Sequence, residues 1–451
     1  MKRMKQWWGI GQLVGICLLL PGLVLGEGVP TEPAGSVTWE GLLEEAQARS
    51  PEVQAAEAEW EAARARVPQA WALPNPWLSY DVMGSDLETR LGPQEQRVGI
   101  FQGIPFPGKF SLRDRAAVLS ARQAQHRLLH VRQAVRSQVT AAAARMVTAR
   151  RVMELLQEER KILEQLGASI RAQIPSGQRT VSDALALEGL FTELAQRESR
   201  VSEQAVAARE TLQALAGVVL PAGVRIAEPL LPRLEPEGEP ERVLETAQAH
   251  RHALIISRLA GEERTVERRL AQMERWPDME VGFLYTQIGD GSTTHPEDGR
   301  DAWMIPLRFS LPLWEPQISG RIREARASEE AARHRTEQEI RQVRSEVVSR
   351  WTEYQAALRR VDLDRESWIP QAASDRESAQ AGYAAGTVDI QRLLESERML
   401  LEAWVRCWGN TAEALIGFAR LEEAVGVPLT GRDPFGMEMD HLEEGDGHAM
   451  D

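Results

Sequence analysis

The chain has 451 residues, 43% hydrophobic and 27% charged, with a formal net charge of −14. That acid excess argues against nucleic acid as a partner, because a phosphate backbone calls for a basic surface. Beyond the N-terminal segment no stretch approaches about 18 uninterrupted apolar residues, so helical spans are excluded there and any membrane crossing must use strands.

Residues 1–26 read as a removed secretory signal. Lys2, Arg3 and Lys5 precede an apolar run from Trp7 to Leu25, and Val24-Leu25-Gly26 supplies a cleavage region. Gly9, Gly11, Gly15, Pro21 and Gly22 interrupt that run, which argues against a retained anchor, and Ile16 before Cys17 argues against lipidation. The mature chain keeps one cysteine, Cys407, so its stability must come from packing and not from an intramolecular disulfide.

The rest of the chain repeats itself. A first repeat at 27–230 and a second at 241–430 flank a Pro- and Glu-rich linker at 231–240, and an acidic tail follows at 431–451. Leu43–Ala48 (LEEAQA) returns as Leu244–Ala249 (LETAQA), and Pro76 returns as Pro277. Ile104-Pro105-Phe106 answers Leu311-Pro312-Leu313, Thr180-Val181 answers Thr387-Val388, and Ala216-Gly217-Val218 answers Val425-Gly426-Val427. Gly289–Asp301 is the insertion that shifts the register.

Each half reads helix, strand, strand, very long helix, helix. In the first half Leu78, Tyr80 and Val82 alternate with Ser79, Asp81 and Met83, and Arg97–Ile104 supplies a partner strand. The second half alternates through Val281, Phe283 and Tyr285, then through Trp303, Ile305, Leu307, Phe309 and Leu311. The long helices are expected at about 111–174 and 318–382, each a rod near 100 Å. Leu128, Val131, Val135 and Val139, and likewise Val343, Val347, Trp351, Tyr354 and Leu358, form apolar seams at helical spacing. Shorter helices follow at about 181–216 and 388–425, and Pro370 predicts a kink. About half of the aromatics crowd the two strand windows, as in the girdles of a membrane β-barrel. Four strands cannot close a barrel, so an oligomer must supply the rest.

The two-halved plan, with Pro74-Asn75-Pro76, Gln102-Gly103-Ile104-Pro105-Phe106-Pro107-Gly108-Lys109 and Leu311-Pro312-Leu313-Trp314, resembles the TolC-like outer membrane factors of tripartite export pumps. The resemblance extends to about Leu429. It implies a mainly α fold with a small β part, in which a homotrimer builds a twelve-stranded membrane β-barrel, four strands per protomer, continuous with a periplasmic α-barrel. It further implies a passive duct in the outer membrane of a Gram-negative bacterium, in contact with lipid, a periplasmic adaptor and an inner-membrane transporter of the RND type, with no enzyme activity and no cofactor. The run through Pro105 and Lys109 looks most like the heavy-metal cation branch; drug efflux and type I secretion are the alternatives. A coiled-coil adaptor or a metal-scavenging envelope protein are the readings outside this class.

The family's gate lies at the periplasmic tip, which maps here to Ile174–Thr180 and Gly382–Thr387. Asp183 and Tyr383 match the family's tip positions, while Arg392 followed by Glu395 stands where some members carry acids. Ser176, Gly177, Ala385 and Gly386 form the turns that the resemblance assigns to adaptor contact. A plain helix-dipole role accounts for Asp183 equally well. No catalytic constellation or phosphate-cradling loop is present. His126 and His130 stand four apart on a helix without a third ligand, and His250 and His252 face different ways. In the tail, Met437, Met439, His441 and His448 mix with acids, a composition that suits either a disordered segment or a collector of soft cations.

Overall fold

In the first half, β1 (Ser36–Val37) leads into α1 (Trp39–Arg49), capped by the Thr38 hydroxyl accepting the Gly41 N–H. Ser50 turns extended and Pro51 opens α2 (Pro51–Ala70), since proline suits the first helical position but cannot continue the helix before it. An antiparallel pair follows, β2 (Trp77–Thr89) and β3 (Gly92–Ile104). The 65-residue rod α3 (Lys109–Gln173) and the 36-residue α4 (Val181–Ala216) complete the half, and β4 (Arg225–Ile226) pairs in parallel with β1. These elements belong to a computed structural model that describes residues 36–89, 91–176, 180–220, 225–226, 231–234, 240–290 and 299–429. The expected signal at 1–26, the tail with Met437, Met439, His441 and His448, and Gly177 lie outside the described residues.

The second half runs α5 (Pro240–His250), α6 (His252–Met273), β5 (Met279–Ile288), β6 (Ala302–Met304) and β7 (Leu307–Phe309). Its rod is α7 (Glu315–Leu363), a π-helical turn at Asp364–Trp368 and α8 (Ile369–Ala384), and α9 (Ile390–Val425) closes it. The sheet order is β2-β3-β5-β6, with β7 also on β5, all antiparallel. Among the described residues the architecture is mainly helical, with one five-stranded sheet and the two-stranded β1–β4 pair.

Four local features differ from the sequence reading. Each half starts with two helices, because Ser50 and Arg251 adopt extended geometry between them. The last strand splits into β6 and β7 at Pro306, which lacks an N–H but whose carbonyl accepts the Gly282 N–H. The expected kink at Pro370 is absorbed by a wide turn, in which the Ile369 N–H reaches the Asp364 carbonyl. Helix α9 begins at Ile390 and not at 388, because the Asp389 side chain caps it by accepting the Arg392 N–H at 3.0 Å.

The core repeats with the halves. Leu43, Ala46, Val135, Val139, Leu212 and Ala216 pack together in the first, and Leu244, Ala247, Val343, Val347, Leu421 and Val425 in the second. A glycine ends the last helix of each half in left-handed geometry, Gly217 at φ 64° against Arg49 and Gly426 at φ 97° against His250. Leu231 and Leu234 of the linker pack against the second-half cluster, and the linker is fastened to α7 by Arg233–Asp362.

Candidate functional site

The strand register sorts side chains onto two faces. Leu78, Tyr80 and Val82 of β2, Val98 and Ile100 of β3, and Phe283 and Tyr285 of β5 share a face with Trp303 and Leu307 of β6 and β7. All of them are exposed, from 38% for Val98 to 70% for Leu78. An exposed apolar face of this extent marks a surface made to meet a membrane or another chain. Tyr80, Val98, Tyr285 and Trp303 form one row across the sheet, while exposed Trp71, Trp276 and Trp314 stand at its base. β5, from Met279 to Ile288, runs about 30 Å, which at a barrel tilt near 40° is about 23 Å of height, close to the ~25 Å apolar band of a membrane barrel.

The opposite face is polar and aromatic. Trp77 stacks on buried Phe101 at 4.3 Å, and Arg308 lies over the Phe101 ring at 4.5 Å while pairing with Glu280 at 2.7 Å. Glu280 also accepts the Trp77 indole N–H at 3.0 Å, so the cation and the anion are both engaged. Among the described residues no helix is long and apolar enough to cross a membrane.

Sheet meets rods at Lys109, which the sequence reading placed in a motif without its burial or its partner. Its ammonium donates to Asp278 at 2.7 Å and to the Trp276 carbonyl at 3.3 Å, and Asp278 also accepts the Phe106 N–H at 2.7 Å. Gly108, at φ 95°, makes the preceding bend, and Phe106 stacks on Trp276 at 5.1 Å.

At the opposite end of the rods, the two helical hairpins meet through Leu163, Ile170, Leu187 and Leu194 of the first and Ala379, Ile390, Leu393 and Leu401 of the second. Around this seam Glu193 takes Arg197 at 2.8 Å and Arg398 at 2.6 Å, and Arg197 reaches Glu402 at 3.0 Å, which ties α4 to α9. Nearby, burial pushes the Glu159 carboxyl up to about 7, with Glu397 adding to the rise against the pull of Arg376. Burial likewise raises Glu397, whose carboxylate lies 3.9 Å from Arg376.

The tip residues fall as follows. Asp183 closes a capping box: it accepts the Thr180 N–H at 2.8 Å while its own N–H donates to the Thr180 hydroxyl. Arg392 stands at the equivalent place, three residues past the Asp389 cap, and its side chain pairs with Asp375. The caps therefore match Thr180 with Asp389, and α4 and α9 are both 36 residues long, whereas the sequence register matched Thr180 with Thr387. Tyr383 is half-buried against the seam, and Glu395 is exposed. Ser176 donates to the Gln173 carbonyl at 2.9 Å; Ala385 and Gly386 form the second turn, with Gly386 at φ 71°.

The sequence matches the family described as outer membrane efflux protein over residues 42–218 and 243–427, one stretch in each half. The chain belongs to that family. Among curated proteins it is similar to the cobalt-zinc-cadmium resistance protein CzcC of Cupriavidus metallidurans, 23% identical over 401 residues, covering 88% of this chain and 92% of the relative. Among solved structures it is similar to the outer membrane protein VceC of Vibrio cholerae, with a TM-score of 0.70, 19% identity, and coverage of 86% of this chain and 95% of that one. The transmembrane channel protein CusC gives a TM-score of 0.72 at 15% identity, covering 86% and 91%. These structures share the fold.

As an outer membrane efflux protein the chain resides in the outer membrane and serves export, which accounts for the apolar face. Burial, then Arg122, lowers the proton affinity of His126; burial, then His126, His130, His250 and Arg251, lowers that of His252 to about 4. Among the described residues no group of three or more His, Cys, Asp or Glu is arranged to hold a metal ion.

Proposed function

We propose that three copies of the chain close their sheets into one twelve-stranded barrel and their rods into a periplasmic tube. The assembly then works as the passive outer-membrane duct of a tripartite efflux pump, without enzyme activity or cofactor. The observation that carries this reading is the sheet itself. Its outward face is apolar from β2 to β7, yet its two outer strands have no partner on their far sides within the described chain. Open edges in lipid leave backbone N–H and C=O groups unsatisfied at several kcal/mol each, and copies of the same sheet are the natural partners. The opposite face then becomes a lumen lined by Trp77, Asp81, Arg97 and Arg308.

A periplasmic adaptor at the tip turns and an inner-membrane transporter of the RND type complete the pump. Similarity to a cobalt-zinc-cadmium resistance protein supports heavy-metal cations as cargo. Asp183, Tyr383, Arg392 and Glu395 line the constriction on this reading. Each chain brings two acids there, Asp183 and Glu395, and one base, Arg392, whose side chain is taken by Asp375, so three-fold symmetry and not local charge density makes the ring significant.

Deletion of the gene, scored against zinc, cobalt, cadmium, copper and silver and against hydrophobic drugs, tests the cargo. Selective metal sensitivity is expected; sensitivity to drugs alone would move the chain to the drug-efflux reading. Asp183→Ala and Tyr383→Phe should raise single-channel conductance, and unchanged conductance in both would reduce them to capping and packing roles.

A further inference from the structure

His126 lies on α3 in the first half and His252 opens α6 in the second. Their Nδ1 atoms face each other at 3.3 Å, with ring centroids 5.4 Å apart and planes inclined by 42°. Two nitrogens bound to one tetrahedral zinc ion at about 2.0–2.1 Å stand about 3.3–3.4 Å apart, so the pair already has the spacing of neighbouring ligands. The approach is imposed by the packing of α3 against α6. Two residues beyond each histidine, Leu128 on the first helix and Leu254 on the second are buried in the core.

Two further histidines influence the pair electrostatically. His130 follows His126 by one turn, and His250 precedes His252 across the α5–α6 junction; both lie within electrostatic reach of the His252 ring. Arg251, next to His252, is engaged by Glu346 at 2.6 Å and by the Ala424 carbonyl at 2.7 Å, which offsets its repulsion of a cation. Arg122, one turn before His126, is the opposing charge.

We propose that His126 and His252 bind one borderline divalent cation of the zinc type, which bridges the two halves of the chain. Imidazole suits such ions, and the two Nδ1 atoms already stand at the spacing of neighbouring ligands. No third protein ligand is in place among the described residues, so water fills the remaining positions and the ion exchanges readily. The site is independent of the cargo of the duct. Its consequence is mechanical: an ion bound by the folded state alone stabilises the junction between repeats.

The test uses the full-length protein in detergent and Zn²⁺ alone as the probe, followed by titration calorimetry and thermal unfolding. One Zn²⁺ per chain and a Zn²⁺-dependent rise in melting temperature, reversed by a chelator, are expected. His126→Gln and His252→Gln should each weaken binding by at least about tenfold and abolish the rise. The double variant His441→Gln/His448→Gln in the tail should retain both. Two single variants protect against one failing to fold, and the Co²⁺ absorption spectrum reports imidazole coordination in the wild-type chain. Absence of Zn²⁺ binding would make the pair an ordinary N–H···N hydrogen bond. Loss of binding in the tail variant alone would place the ion in the tail; either result overturns the proposal.

Discussion

Lys109 and Asp278 show how unequal the partners of one ion pair can be. The lysine side chain is 7% exposed and the aspartate 45%, so only the cation depends on its partner for solvation. Asp278→Ala leaves the buried ammonium with no counter-charge and only the Trp276 carbonyl at 3.3 Å, and is expected to cost about 3–5 kcal/mol. Lys109→Met leaves a carboxylate that water can reach and should cost only about 1–3 kcal/mol. Chemical unfolding of the two variants checks the order, and equal losses would show that Lys109 draws its solvation from elsewhere. Glu159 behaves oppositely. Its carboxyl is raised from 4.5 to about 7, so between those values the folded chain holds the proton more firmly than the unfolded chain does. Stability from this group therefore rises as pH falls through that window, and the cost of ionisation is fully present above it. Glu159→Gln should raise the melting temperature at pH 8 by roughly 2–8 °C and change it little at pH 4.5. A lower melting temperature at pH 8 would contradict the burial argument.

At the scale of elements, the helix-ending glycines carry the internal symmetry into local geometry. A Cβ on Gly426 would lie 2.6 Å from the His250 carbonyl oxygen, backbone that cannot yield, whereas one on Gly217 would meet the Arg49 carbonyl at 3.2 Å. Gly217→Ala should therefore cost about 1 kcal/mol for its left-handed conformation. Gly426→Ala should cost more, about 1–3 kcal/mol from backbone strain with the clash added, and thermal unfolding of both variants gives the comparison. Much at this scale was legible beforehand. Period-two alternation through Val281, Phe283 and Tyr285 marked the strand, and the seam through Val343, Val347 and Tyr354 marked the rod, because both patterns are written within one element. Boundaries set by single residues were less so: Asp389 caps α9 with a side chain that looks like any other acid in the run. Contacts between distant segments were not legible at all. His126 and His252 are 126 positions apart, and Lys109 and Asp278 are 169 apart. No spacing rule connects them, since the rods must first be packed side by side.

At the scale of the whole molecule the sheet makes a claim that its own chain cannot satisfy. Phe283 and Met304 are both exposed, at 47% and 56%, and by simple exposure would tolerate a charge equally. The register separates them: Phe283 lies opposite Ile100 on the apolar face, whereas Met304 lies opposite Leu284 on the face with Arg308 and Glu280. In a closed trimer the first meets lipid and the second a water-filled lumen. Phe283→Arg should then cost about 2–4 kcal/mol per chain near mid-membrane, incurred three times in each assembly. The expected outcome is loss of the heat-dissociable trimer from the outer-membrane fraction, seen on gels of unheated samples. Met304→Arg should leave the trimer in place and alter only conductance. A soluble sheet, or one closed with the opposite face outward, predicts equal tolerance or the reverse order. The two variants together therefore decide which face meets lipid, and with it whether the exposed apolar surface of the lone chain is the outer wall of a barrel.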